Sequence, residues 1–294
     1  MTERPKNESN RRWSVEQRLA FIDRRLYWDA QINRSDLVTY FGVSVPQAST
    51  DLGSYEKAAP GNMRYDKHAK SYVAAPKYSP RTVPSAREYL SQLQLIADDV
   101  LSVEQSWIGK RPNFAVLPRV RKRLAADILR RIIGAIRSGS ALAVKYQSFE
   151  TSKPTNRWIV PHALSFDGQR WHARAWCERR LKFLDFVLAR MLGIEAEREA
   201  DIDSRRDLAW HTTATMKLGP NPALPPAHQQ AVALDYGMVN GLVALEVRLS
   251  LVYYLKRQML LDVADRLSPE RVPVVLLNAD ELNRELIAVD ESPI

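Results

Sequence analysis

The sequence predicts a multidomain α+β chain, on three observations. At 294 residues with 45% hydrophobic content, it is long enough for about two cores at roughly 150 residues each. Apolar residues recur at helical spacing as far as Arg137, and from Leu142 the period drops to two. Pro76, Pro80 and Pro84 crowd into one short stretch, which breaks helices and marks a boundary. The expected organisation is a winged helix-turn-helix over 1–80, a helical connector over 81–139, a small bent sheet or barrel over 140–200, and a small α+β unit over 201–294.

Residues 1–12 are polar and basic without hydrophobic period, which predicts a mobile arm. A first helix is expected from Trp13 to about Gln31, with Leu19, Ile22 and Leu26 on its apolar stripe. Asn33, with Asp36 three residues on, forms a capping-box pair that opens a second helix buried through Leu37, Val38 and Phe41. Gly42 ends it, and Ser44-Val45-Pro46-Gln47 opens a third, where Pro46 is tolerated because first-turn amides lack intrahelical partners.

At 100° per residue Val45, Ala48, Leu52 and Tyr55 fall on the inner face of this third helix, and Gln47, Thr50, Ser54 and Lys57 on the outer. A small polar face of that kind fits a major groove: Gln pairs with adenine, Thr hydrogen-bonds or touches a thymine methyl, and Ser or Lys holds phosphate. Pro60-Gly61-Asn62 then turns into a hairpin wing, with Arg64 on its first strand and Lys67, His68 and Lys70 at its tip. A three-helix packing module with an ordinary polar face has the same spacing; the basic hairpin beside it turns the reading toward double-stranded DNA.

The connector carries two amphipathic patterns. One runs from Ser85 to Leu101 with Leu90, Leu93, Ala97, Val100 and Leu101, the other from Leu124 to Arg137 with Ile128, Leu129, Ile132, Ile133 and Ile136. Trp107–Pro118 is irregular. Period-two runs follow at 142–148, 157–161, 170–177 and 181–188, separated by turn residues. Beyond Asp201 a strand over Val243–Leu251, a helix over Tyr253–Arg266 and a last strand over Val272–Leu277 are expected.

A net charge of +9 and a pI near 9.6 suit a polyanionic partner, and residues 1–200 carry the whole positive excess while 201–294 are net acidic. No apolar run is long enough for a bilayer span and the N-terminus lacks a signal-peptide core, so a cytoplasmic protein is expected. Cys177 has no partner for a disulfide, and the five histidines lack zinc-site spacing, so neither a metal nor another cofactor is expected. No Walker A, Gly-x-Ser-x-Gly, His-Glu-x-x-His or paired-carboxylate signature is present, which speaks against an enzyme.

Over nearly its full length the chain resembles the bacterial WYL-domain transcription regulators, and within them the group associated with phage-defence islands of the BREX and CBASS type. The resemblance rests on Phe41-Gly42-Val43-Ser44 through Asp51-Leu52, on Tyr146-Gln147-Ser148, on Pro161-His162, and on Arg170-Trp171-His172-Ala173-Arg174. The name-giving Trp-Tyr-Leu triplet reads Trp171-His172-Ala173 here, and the His-x-Arg at this place is similar to the defence-island group. The resemblance implies an Sm-like β-barrel WYL domain that senses a ligand and a C-terminal extension used in dimerisation.

Strand alternation puts Tyr146 and Ser148 on one side of their strand, and His172 and Arg174 on one side of theirs. Hydroxyls, an imidazole and a guanidinium together suit a phosphate or carboxylate. Taken singly, Tyr146 reads as core and His172 and Arg174 as surface; as a set they read as an anion pocket. The resemblance adds His162 and Arg190. Phe183, Phe186 and Trp176 read as core rather than as platforms for stacked bases. The expected function is a homodimeric repressor of a phage-defence operon that binds an inverted repeat and is released by an anionic signal, a nucleotide or nucleic acid. The alternative is a nucleic-acid-binding accessory subunit that modulates an effector enzyme.

Overall fold

The computed structural model describes residues 6–118 and 124–290, with the side chains of 6–13 and 290 left aside. It comprises two compact units that divide after residue 121.

The first unit contains α1 (Lys6–Asp29), β1 (Gln31–Ile32), α2 (Arg34–Phe41), α3 (Val45–Ala58), β2 (Met63–Asp66), β3 (Ser71–Ala74) and α4 (Ala86–Ala97). Residues 6–12 are the first turns of α1 rather than an arm, since a formed helix extends through Lys, Glu and Arg without a new nucleation cost; residues 1–5 lie outside the described residues. The capping box at Asn33 is complete, with Asp36 N–H donating to the Asn33 side chain and Asn33 N–H to the Asp36 carboxylate. Gly42 closes α2 at a φ of 66°, a left-handed position that a Cβ would strain. Ser44 caps α3 by accepting the Gln47 N–H.

Leu19, Ile22, Leu26, Leu37, Leu52 and Tyr55 form the core under these helices. Val45, expected among them, is 57% exposed. Burial on α3 starts only at Ala48, and Asp51 takes a place on the inner face because Arg18 neutralises it at 2.6 Å. The wing is an antiparallel sheet of order β1-β3-β2, with Tyr65 opposite Tyr72.

Of the apolar stripe expected on α4, Leu93 is buried while Leu90 and Val100 are exposed. The helix stops at Ala97 rather than Leu101, because two acids, Asp98 and Asp99, sit at its negative end and Asp99 turns left-handed at φ 55°. Trp107 and Ile108, within the irregular stretch, are buried in the same core. The segment 81–139 is thus shared: α4 belongs to the first unit and α5 (Ala126–Ser138) to the second.

In the second unit Ile128, Ile132 and Ala135 of α5 pack on a five-stranded antiparallel sheet of β4 (Ala141–Tyr146), β5 (Thr155–Phe166), β6 (Trp171–Cys177), β7 (Lys182–Val187) and β8 (Met191–Arg198). The strand order is β7-β6-β5-β4-β8, and among the described residues the ladders do not pair β7 with β8. The sheet is interrupted by bulges at Pro161/Ala163 and along the β4–β8 ladder. Strand β8, rich in Glu and Arg, lacks the apolar alternation that marks the other four.

The remainder is α6 (Leu208–His211), β9 (Thr213–Pro220), α7 (Pro226–Asp235), β10 (Val243–Arg248), α8 (Leu249–Gln258), β11 (Val274–Leu276) and α9 (Ala279–Asp290), around a sheet of order β10-β9-β11. The expected strand 243–251 ends at Arg248, where Leu249 and Val252 switch to helical spacing and are both buried. The helix accordingly runs over 249–258, earlier than expected. The central strand β9 was not expected, although Ala214, Met216 and Leu218 alternate inward.

A buried carboxylate closes the first unit. Asp23, 2% exposed, accepts from the Tyr55 hydroxyl at 2.5 Å, the Tyr78 hydroxyl at 3.1 Å, and the backbone N–H groups of Arg81 and Thr82. Burial, with Asp23 beside them, pushes both phenols well above the ordinary tyrosine range. Tyr55→Phe should therefore cost about 1.5–3 kcal/mol, the worth of a hydrogen bond to a charged acceptor. Urea unfolding followed on the first unit measures this; an unchanged midpoint contradicts the network's role.

Candidate nucleic-acid interface and signal site

Helix α3 presents Thr50 and Lys57 to solvent, with Gln47 and Ser54 half-buried beside them. The hydroxyls of Thr50 and Ser54 donate to the carbonyls one turn back, Pro46 at 3.0 Å and Thr50 at 2.8 Å. The Gln47 amide donates to Asp51 at 3.0 Å, and Asp51 is held by a two-point ion pair from Arg18. Arg18 on α1 thus sets the position of Gln47 through Asp51, a relay that spacing on one helix does not reveal.

In the wing Arg64, Lys67 and Lys70 are exposed. The turn is built by the Asp66 carboxylate, which accepts the N–H groups of His68 and Ala69 at 2.9 and 3.0 Å. Arg34 and Ser35 at the start of α2 meet Tyr65, Lys70 and Tyr72 of the wing around an open cleft of about 280 Å³. The tertiary fold therefore adds Arg34 to the cations expected on this side. Four cations from a helix and a hairpin on adjoining elements suit contact with successive phosphates.

The six residues expected at the signal site fall in separate places. Tyr146 lies in the core, 6% exposed, with its ring edge-on to Phe186 at 5.2 Å and its hydroxyl accepting the Val187 N–H. Ser148 lies past the end of β4, where its hydroxyl accepts the Glu150 N–H and pairs with Thr151. Arg190 stacks on Phe149 at 3.9 Å. His172 and Arg174 are on the other face of the sheet from Tyr146, since Ala173 and Ala175 alternate with them into the core that holds Tyr146, and His162 of β5 meets Arg174 there at Asp207. The converging set of Tyr146, Ser148, His172 and Arg174 therefore does not form as expected; only His172 and Arg174 share a face, and His162 of β5 joins Arg174 through Asp207.

These three are neither free nor on the surface. Arg174, 8% exposed, grips Asp207 with its fork, Nε to Oδ2 at 2.7 Å and Nη2 to Oδ1 at 2.9 Å, and reaches Asp185 at 3.4 Å. His162, in the β5 bulge, meets Asp207 Oδ2 at 2.8 Å between the rings of Phe183 and Trp210. Asp207 also accepts the Trp210 N–H as cap of α6. Burial would raise its carboxyl, but the bonds from Arg174 and His162 outweigh that and hold it at about 2. His172, 2% exposed, meets Asp167 at 3.0 Å and lies 5.0 Å from the Tyr254 ring. Tyr254 in turn donates to Asp185, whose carboxyl is raised by burial despite Arg174. Asp207, Asp185 and Tyr254 are partners that the sequence reading missed: Asp207 and Tyr254 lie far along the chain, and Asp185 sits between apolar residues of β7.

Comparison with known proteins fits this architecture piece by piece. Residues 14–95 match the BrxR transcriptional regulator winged helix-turn-helix domain, 127–196 the WYL domain, and 213–282 the BrxR transcriptional regulator C-terminal dimerization domain. Among curated proteins the chain is similar to the DNA-binding transcriptional repressor CapW of Stenotrophomonas maltophilia, 39% identical over 93% of this chain and 92% of that one. The proteins of the same name from Pseudomonas aeruginosa and Escherichia coli (strain KTE188) are 39% and 38% identical, each over 94% of this chain and 93% of theirs. No helix among the described residues is long and apolar enough to cross a membrane. With all three parts present in order and the similarity spanning almost the whole of each relative, the chain belongs to the BrxR/CapW family of WYL-domain transcriptional regulators, a family of repressors rather than enzymes.

Proposed function

We propose that the chain is a ligand-responsive repressor of a phage-defence operon, acting in the cytoplasm as a homodimer on an inverted-repeat operator and released by an anionic signal at the WYL domain. The observation that carries the repressor reading is the full-length similarity to repressors of that name, joined to a winged helix whose third helix and wing expose polar and basic groups on adjoining elements. Gln47, Thr50, Ser54 and Lys57 are the groove-facing residues of this proposal, and Arg64, Lys67 and Lys70 its phosphate contacts. The anion reading is supported by His162, His172 and Arg174, cationic or chargeable groups gathered on one face of the WYL sheet. Tyr146, Ser148 and Arg190 have no part in this set: Tyr146 is held in the core on the opposite face, and Ser148 and Arg190 are engaged elsewhere in the domain.

One winged helix buries only about 600–1,000 Å² on DNA, so tight specificity calls for two half-sites. Light scattering of the protein with duplex taken from upstream of its own gene should give two chains per duplex; one chain on one half-site contradicts the proposal. Gln47→Ala or Thr50→Ala should cost about 1–3 kcal/mol on cognate duplex and relax sequence preference, whereas Lys67→Ala or Lys70→Ala should weaken cognate and scrambled duplex alike and flatten the salt dependence. Equal behaviour of both pairs in a titration across salt concentrations removes α3 as the reader. Arg174→Ala, by leaving Asp207 and Asp185 buried without their counter-charge, should destabilise the second unit by about 3–5 kcal/mol. A melt in which this variant matches the unaltered protein shows that the ion pairs bear no weight.

A further inference from the structure

The groups suited to binding an anion at the WYL sheet already hold one, and it belongs to the chain itself. Asp207 is 2% exposed and its two oxygens accept Arg174 twice, His162 once and the Trp210 N–H once. That is about the full acceptor capacity of a carboxylate. The fork-to-fork geometry with Arg174 is the one the guanidinium would offer to a phosphate or carboxylate from outside.

Asp207 stands between the WYL strands and the dimerisation segment: it caps α6, and α6 leads at once into β9. A second contact lies alongside. Helix α8 sends Tyr254 to His172 and Asp185, and Gln258 against the turn at Gly168, where an added Cβ would meet the Gln258 side chain at 2.8 Å. Along this seam four buried polar atoms stand without a hydrogen-bond partner among the described residues: Ser165 Oγ, His172 Nδ1 and Asp185 Oδ1 on the sheet, and Ser250 Oγ one turn before Tyr254. Ser165 and His172 are directly opposite each other on β5 and β6, so their orphaned atoms share one face. Unsatisfied buried polar groups are costly, and native proteins keep few of them without a reason.

We propose that Asp207 is an internal stand-in for the signal, filling the seat made by His162 and Arg174, and that a phosphate-bearing ligand acts by displacing it and freeing α6 from the WYL sheet. This rests on the reading of the WYL domain as the signal site. An intramolecular carboxylate competes at the high effective concentration of a tethered group, so a simple anion is a poor competitor. A ligand prevails by adding contacts that Asp207 does not make, and Ser165, His172 and Asp185 offer a hydroxyl, a ring nitrogen and a carboxylate oxygen for that purpose. A phosphate attached to a hydroxyl- and base-bearing body matches this set, whether as a free nucleotide or as the end of a single strand. Because α6 precedes β9 directly, releasing Asp207 loosens the entry to the dimerisation segment, which is the physical link between sensing and DNA release.

Calorimetry on the full chain and on Asp207→Asn, with inorganic phosphate, nucleoside 5′-monophosphates and a short 5′-phosphorylated single-stranded DNA as probes, tests the proposal. Asp207→Asn should bind at least one phosphate probe about tenfold tighter or more than the unaltered chain, and adding His162→Gln should remove the gain. Tighter binding of the monophosphates identifies a free nucleotide; a gain seen only with the oligonucleotide identifies a strand end. If a probe binds both proteins equally and depends on Arg174, the stand-in role of Asp207 is overturned while the signal site survives. If no probe binds either protein, both are overturned. Should Asp207→Asn fail to fold, hydrogen exchange on the unaltered chain decides: the probes should speed exchange at the amides of Trp210 and Thr212, and unchanged exchange refutes the displacement.

Discussion

A carboxylate leaves water only when donors replace the solvent around it, and that constraint organises each junction of this protein. Asp23 is satisfied by two phenols and two backbone amides, Asp51 by Arg18 and Gln47, and Asp207 by Arg174, His162 and its own helix. Each carboxylate ties together parts of the chain that lie far apart in the sequence. Asp23 fastens α1 to α3 through Tyr55 and to the segment after the wing through Tyr78 and Arg81. Asp51 fixes α3 on α1 and orients Gln47. Asp207 seats the start of the dimerisation segment on the WYL sheet.

Apolar packing supplies most of the free energy of such cores, but it is tolerant of small rotations. Buried ion pairs are often close to neutral in net stability, and their use in a given protein lies in the arrangement they select. Here the arrangement bears on function at both ends. A winged helix reads DNA only if its third helix is held at a fixed angle on the body of the domain, and the Asp23 and Asp51 contacts tie α3 to α1. A sensor transmits only if its ligand site and its output element share a contact with two available states, and that part is proposed for Asp207.

Family membership and stereochemistry meet in the departures from expectation as well. The Trp171-His172-Ala173 triplet puts an imidazole where the family name has Tyr, and this imidazole is buried against Asp167 and Tyr254 rather than exposed. Its neighbour Arg174 is buried against two carboxylates. A period-two pattern containing His and Arg reads as one wet face, yet both faces of this sheet are covered, one by the core under α5 and the other by segments from the C-terminal part.

What the sequence determined by itself was local. Caps at Asn33 and Ser44, the glycine end of α2, the hairpin wing, the apolar stripe of α5 and the strands β4 to β7 are written in short-range spacing, because backbone hydrogen bonding and side-chain periodicity act within a few residues. The polar and basic residues of α3 and the wing were legible for the same reason. What only the tertiary structure decided was which polar groups become partners. Asp207 is 33 residues from Arg174 and 45 from His162, and Asp51 is 33 from Arg18. No pattern on one element encodes such pairings. They arise when packing removes water from two charges at once, and that is settled by where distant elements meet, not by the residues on either side.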